Sequence, residues 1–518
     1  MKKTFSLLSK IDYNKLWLIP FTFILIWIFF LCLLDSRFPA FNPIVLLLLV
    51  IVNVIFLCFL FKKLSTNIKR IDNKKTMIFY AVITVLMVLL QFLIGYKTRT
   101  NPTWDLGINI TAANEILENG HMTNSIGYYL NFPNNIFNTL VLAVLFKVFS
   151  FFGFHSGNGP MLVLNIFLIQ LAIYFMFQVC RKIYGNLSAC FALVLSLFFI
   201  PFYPYASICY TDTMSMFIPI GFIYYFIKIS SNDKFYKNII YFVIMGLLAF
   251  LAFQIKVTAL IVLIAMFIIM VVKKEILKKG IMYFFGAIAI ILATFLVTNK
   301  IYKLVVNKTN VLGVKYEETG LIPYTHWIMM GTYGGGAFSA SEYDYTFSFP
   351  DVKTRKAANI KKVKQRLKRW KTQGYIKFLN NKMAMFTWGT GTYDFESILT
   401  SNAADNNKSH EFFTSTGRYY KLIHYFCQTY HFSMILFIII SLMYCLTRKE
   451  NINILIMKLS MFGLLIFLLI WETRSRYMLN YIPIYILLMF SGINYLYKNY
   501  NRLLKKIFIN KESSHEKR

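Results

Sequence analysis

The sequence predicts an all-α polytopic membrane protein, and three observations carry that prediction. Of its 518 residues, 57% are hydrophobic and 18% aromatic, and the mean hydropathy is +0.55. Apolar runs of about 20 residues, the length that crosses a ~30 Å hydrocarbon core, recur along the chain. Between them lie basic clusters. The 55 Lys and Arg against 22 Asp and Glu give a net charge of +33, as cytoplasmic loops and contact with anionic lipid would both require.

The first run, Leu16 to Leu34, follows Lys2, Lys3, Lys10 and Lys15 and has no small-residue cleavage site after it. It reads as an uncleaved anchor with a cytoplasmic N-terminus. Further runs are Pro43 to Phe61, Thr76 to Gly95, Asn135 to Phe152, Pro160 to Cys180, Leu187 to Tyr203, Thr213 to Ile229 and Ile239 to Ile255. Val257 to Val272, Ile281 to Thr298, His431 to Leu446, Ile452 to Trp471 and Leu479 to Leu496 complete the set. If all crossed, Arg181-Lys182 and the Lys273 to Lys279 cluster would face outward, against the positive-inside rule. About twelve crossing helices, with Asn135 to Phe152 as an in-plane or re-entrant helix, remove the conflict. Every basic loop then lies inside, while Asp105, Asp212, Lys256, the 299–430 region and Glu472 to Tyr477 share the outer face.

The stretch from Ile239 to Val272 would measure about 50 Å as one helix, too long for a single span. A turn at Gln254-Ile255-Lys256 divides it and lifts Lys256 out of the mid-bilayer, where a lysine costs about 2.5 to 3.5 kcal/mol. The chain thus divides into N-terminal spans (1–96), an external loop with a juxtamembrane helix (97–159) and a membrane core (160–298). An extracytoplasmic domain of mixed secondary structure (299–430), C-terminal spans (431–497) and a basic cytoplasmic tail (498–518) follow. The seven cysteines show no C-x-x-C pair and no regular spacing, so they read as small hydrophobes rather than a disulfide or zinc framework.

Trp104-Asp105-Leu106-Gly107 sits just past a span, before a helical stretch Ile108 to Glu118, an Asn119-Gly120 stop and Asn131-Phe132-Pro133-Asn134-Asn135. Asp105 suits general-base chemistry at the lipid boundary, and equally suits a helix N-cap. Asp212, after Pro201-Phe202-Tyr203-Pro204, carries the same two readings. In Trp471-Glu472-Thr473-Arg474-Ser475-Arg476-Tyr477, the arginine forks suit phosphate oxygens, and interfacial anchoring by snorkelling arginines with an aromatic belt is the alternative. Lys256 stands alone in an apolar run. His326, beside Trp327, is a substrate-site candidate, although a lone histidine is more often structural, and no metal-binding pattern accompanies it. From Lys353 to Lys382 the chain is strongly basic, with Ile360, Val363, Leu367 and Trp370 at helical spacing, which reads as a surface helix for a membrane or an anionic polymer.

This ordered set resembles the GT-C superfamily of membrane glycosyltransferases, which includes protein O-mannosyltransferases and the bacterial aminoarabinose transferase. Its C-terminal part looks most like glycosyltransferases of Gram-positive envelopes. The resemblance rests on Asp105, Asn131 to Asn135, Arg181-Lys182-Ile183-Tyr184-Gly185, Tyr210-Thr211-Asp212, Phe253 to Lys256 and Arg474-Ser475-Arg476-Tyr477. Two features depart from it: two spans precede the one before Asp105, and the acid stands as Trp-Asp rather than in an Asp-Glu pair.

The resemblance implies transfer of a sugar from a polyprenyl-phosphate carrier to an envelope acceptor: a teichoic acid, polysaccharide, glycolipid or protein. Asp105 and Asp212 would be catalytic, and Lys256, Arg474, Arg476, Tyr477, His326 and Glu472 would bind substrate or lipid phosphate. No protein-bound cofactor is required, a divalent cation is left open, and nucleic acid is not expected as a partner. A transporter or flippase of lipid-linked saccharides is the main alternative; it predicts internal repeats and mid-bilayer polar residues, and neither is evident. A non-catalytic envelope assembly protein is the third reading.

Overall fold

The computed structural model describes residues 14–34, 42–68, 71–99, 101–154, 157–230, 234–273, 280–402 and 409–515. All regular structure among the described residues is helical. The principal helices are α1 (Asn14–Leu34), α2 (Pro43–Asn67), α3 (Asn73–Lys97), α4 (Asp105–Asn119), α5 (Ile136–Ser150), α6 (Asn158–Tyr184), α7 (Asn186–Leu197) and α8 (Phe217–Ser230). Then follow α9 (Phe235–Ile255), α10 (Leu260–Val272), α11 (Ile281–Thr309), α12 (Val352–Asn381), α13 (Tyr420–Thr447), α14 (Ile452–Ile470) and α15 (Ile482–His515).

Among the described residues, nine helical segments are long and apolar enough to cross a membrane. A tenth arises if α7 and the 3-10 segment after it, bent by 72°, count as one span. The number falls below the dozen or so expected crossings because α7, α8 and α10 are built with only 12, 14 and 13 residues. At 15 residues α5 is also short of a span, and it packs along α4. The apolar stretch before Val272 is two helices, with Lys256 in extended conformation at the break.

The helices pack by close side-chain fit, since lipid offers no hydrophobic drive to bring them together. Phe61 meets both Phe191 and Phe490 edge-on at 5.1 Å, tying α2, α7 and α15. On α11 the buried side chains are few, Ile291 and Val306, leaving its other faces for lipid. That helix runs on to Thr309, past the expected boundary at 298, and α13 begins at Tyr420.

The region between them contains no strand among the described residues, which corrects the expected mixed domain. It holds the short helices Thr325–Met330, Ala340–Phe347 and Phe395–Asn402 and the long α12. Its glycines form tight turns, as where the Gly336 N–H donates to the Tyr333 carbonyl, or close approaches, and no strand flanks those turns among the described residues. A Cβ on Gly331 would lie 2.6 Å from the Trp471 backbone, so the chain there can press directly onto the loop after α14.

Basic residues gather at the opposite end of the bundle. Arg181 at the end of α6 donates to Asn73 and Asn186, joining the starts of α3 and α7. Lys273 ends α10, and Arg448-Lys449 lie between α13 and α14. By contrast α3, α9 and α14 all reach the other end with their C-termini, where the candidate residues meet.

Candidate functional site

The site begins with Gly107. A Cβ there would lie 1.9 Å from the Pro102 carbonyl oxygen, so only glycine lets the chain fold back tightly enough to start α4 at Asp105. Trp104, not Asp105, holds the N-cap position and makes no side-chain cap bond. The Asp105 carboxylate instead accepts from the Tyr210 hydroxyl at 2.9 Å. Tyr210 also approaches the Asn135 amide oxygen at 3.4 Å, and Asn135 donates to Tyr128. The capping reading of Asp105 is therefore not realised: its carboxyl faces a polar cluster built by Tyr210, Asn135 and Tyr128.

Asp212 behaves likewise. It lies inside the short helix Thr211–Met214, is buried, and pairs with two cations. The Lys256 ammonium bonds one oxygen, and Arg476 Nε lies 3.6 Å from the other. Two positive charges on one carboxylate leave the trio with a net positive charge. Aromatic rings frame it: the Arg476 guanidinium lies 4.7 Å over Trp104 and the Lys256 ammonium 4.4 Å over Tyr477.

The loop after α14 supplies the rest. Tyr477 donates to the buried Glu472 at 3.1 Å. Burial pushes the Glu472 carboxyl above its usual range and Asp105 adds to this, while the Tyr477 bond, Arg476 and Arg474 pull the other way. The Arg474 carbonyl accepts from the Tyr477 N–H, while its guanidinium makes no hydrogen bond or ion pair among the described residues. The Ser475 N–H between the two arginines donates to the Asp394 carboxylate at 3.0 Å. Asp394 and its neighbour Tyr393 both adopt left-handed backbone, with φ of 70° and 55°, a conformation that aspartate tolerates and that is uncommon for tyrosine.

Further contacts hold this loop against the 310–419 region. Trp471 stacks on Trp327 at 5.8 Å with the rings 8° from parallel. The Glu472 N–H donates to the Trp327 carbonyl, and Thr473 N–H to Gly336. The buried Lys382 ammonium donates to the carbonyls of Gly331, Leu469 and Trp471, capping the end of α14. Burial pulls that lysine down to about 7, with Glu472 opposing.

Residues 12–495 match the sequence model of a family described as conserved hypothetical integral membrane protein. The chain belongs to that family. Membership makes it an integral membrane protein, and its several long apolar helices make it multi-pass. No curated protein and no solved structure shows significant similarity to it.

In this member of the conserved hypothetical integral membrane protein family, Asp105, Asp212, Lys256, Glu472, Arg474, Arg476 and Tyr477 converge. His326 does not join them. Its ring is buried, bonds to Thr346 Oγ1 at 2.7 Å and meets Tyr343 edge-on. Burial pushes its pKa down to about 4, against the opposing charge of Glu342, so it is a neutral packing residue. Tyr210, Asn135 and Asp394 are the residues that sequence reasoning missed. Asn135 and Tyr210 stood within noted motifs, but nothing in the sequence marked Asp394. Among the described residues no group of three or more His, Cys, Asp or Glu side chains is placed to share an ion. All seven cysteines are free thiols, six of them buried.

The basic helix also departs from expectation. Its inward face is polar: Arg355 donates to the Phe349 and Leu321 carbonyls, and Lys362 and Arg366 pair with the buried Glu342 at 3.1 and 2.7 Å. Ile360 and Leu367 are exposed, not tucked beneath the charge. A buried acid outcompetes the apolar stripe for the inward face because its charge must be neutralised there.

Proposed function

We propose that this protein transfers a sugar from a polyprenyl-phosphate carrier to a cell-envelope acceptor at the extracytoplasmic face of the membrane. The observation that carries the reading is the meeting of a hydrogen-bonded carboxylate, Asp105, with an electropositive cluster at the end of the bundle away from the basic loops. Counted over the short loops, which leaves out a region as long as 310–419 with its basic α12, the positive-inside rule makes that end the outer one.

In this reaction Asp105 takes the proton of the acceptor hydroxyl, whose oxygen attacks the anomeric carbon. The carbon–oxygen bond to the carrier phosphate breaks, and its electron pair leaves on the phosphate. Arg474, with no ion pair of its own, receives that charge, supported by the net positive trio of Asp212, Lys256 and Arg476. Asp212 serves as the counter-ion that lets two cations stand together, and Tyr210 and Asn135 orient the base. General-base help of this kind is worth about 10²- to 10⁴-fold.

Asp105→Asn tests the reading, because asparagine keeps the shape and removes the proton acceptor. Sugar incorporation from polyprenyl-phosphate donors into envelope extract, measured in proteoliposomes, should fall at least 100-fold, following the general-base range, with normal expression and folding. Wild-type rates in the variant would remove Asp105 from the chemistry and this function with it.

A further inference from the structure

A polar cavity lies at the end of α14 opposite the Asp105 cluster. It has a volume of about 200 Å³ and is lined by Lys15, Lys273, Arg448 and Lys449, with Glu450 and Thr447. These cations come from three separate places: the start of α1, the end of α10 and the turn between α13 and α14. None of the four side chains makes a hydrogen bond or an ion pair among the described residues; the bonds of Lys273 and Arg448 are made by their backbone N–H groups.

The single acid in the wall does not neutralise them. Glu450 Oε2 accepts from the Lys458 ammonium at 3.2 Å and Oε1 from the Asn451 N–H at 3.2 Å. Lys458 is itself fully buried and donates to the Ser441 carbonyl at 2.7 Å. The wall is thus a fixed, internally satisfied ion pair carrying four uncommitted cations above it. Lys15 is the second residue of a candidate membrane span, which puts the mouth at headgroup depth. Four unpaired cations from separated segments around a small cavity repel one another, and a multivalent oxyanion with several acceptor oxygens removes that cost. Arginine supplies a fork and the lysines supply point charges, a set suited to phosphate.

We infer that this cavity binds a phosphate-bearing anion, either the headgroup of an anionic membrane lipid or a soluble phosphate compound. The site is distinct from the Asp105 cluster, since α14, about 28 Å long by its rise per residue, separates Asn451 from the Glu472 loop. The inference does not depend on the proposed reaction.

The test uses the full-length purified protein in nanodiscs and reads thermal unfolding. Phosphatidylglycerol or cardiolipin added to phosphatidylcholine discs should raise Tm, and the double variant Arg448→Gln/Lys449→Gln should lose most of that rise. A control variant, Lys234→Gln/Lys237→Gln, removes the same charge outside the cavity and should keep it. If millimolar inorganic phosphate in pure phosphatidylcholine discs gives the same variant-sensitive rise, the ligand is soluble; if only the anionic lipids do, it is a headgroup. A rise that the control loses equally, or no rise with any of these anions, would overturn the assignment. Arg448 and Lys449 are exposed and outside any helix, so their replacement leaves folding intact.

Discussion

Replacing Asp212 by asparagine separates a counter-ion from a catalytic acid. The carboxylate stands between Lys256 and Arg476, whose side chains are only 12% and 17% exposed. At 3.6 Å and an effective dielectric of ~20, its attraction to Arg476 alone is about 4 to 5 kcal/mol before desolvation. Removing one partner of such a buried pair costs about 3 to 5 kcal/mol, because the remaining charge keeps its burial and loses its compensation. Here two cations are left facing each other. Asp212→Asn should therefore lower Tm by on the order of 5 to 10 °C and reduce monodisperse protein in detergent. Adding Lys256→Met restores the trio's net charge of one and should recover about half of the loss. Thermal unfolding and size-exclusion profiles of the two single variants and the double variant form a complete cycle. An Asp212→Asn protein with wild-type Tm, or a double variant no better than the single, would refute the counter-ion role.

Four further outcomes follow from the geometry. His326 is held neutral down to about 4 in the fold but titrates near 6.5 when unfolded. Its contribution is thus complete above pH 6.5 and is lost as pH falls toward 4, by up to about 3 kcal/mol; His326→Gln should flatten that part of a Tm-versus-pH curve. On α12, Lys361→Gln/Lys364→Gln/Lys368→Gln should weaken retention on immobilised teichoic acid without changing Tm, because exposed charges stabilise little. Lys362→Gln/Arg366→Gln should lower Tm, since Glu342 is left buried and unpaired. Single cysteines in a cysteine-free background should react with an impermeant maleimide on intact cells at Ser341 and fail to react at Thr447; the reverse pattern would invert the orientation.

The membrane class and the break at Lys256 were legible in the sequence because both follow from length and charge against a fixed bilayer thickness. Seven of the eight candidate side chains were identified from residue type beside a span end, and the structure brings those seven together. Their roles were less legible. That Asp212 binds both Lys256 and Arg476 is a contact between elements far apart in the chain, which no local pattern encodes. His326 failed for a related reason: its neighbours Thr346 and Tyr343 arrive from a later helix and give it a packing role that spacing could not show. The inward face of α12 was misread because Glu342, a single acid outside the helix, decides which side turns in. That the described part of 310–419 holds no strand was not legible, because its helices are short and carry little periodic signal.

The arrangement around Asp212 also has a consequence for how the protein is made. Asp212 and Lys256 emerge well before Arg476, so the nascent chain can pair them with charges that cancel. Arg476 arrives with the last helices and converts that neutral pair into a cationic centre, as the Trp471 loop seats under Trp327 and Lys382. The electropositive state therefore exists only in a completed molecule, and a chain cut short before its final helices would present a quiet, uncharged surface to the lipid rather than an exposed cation.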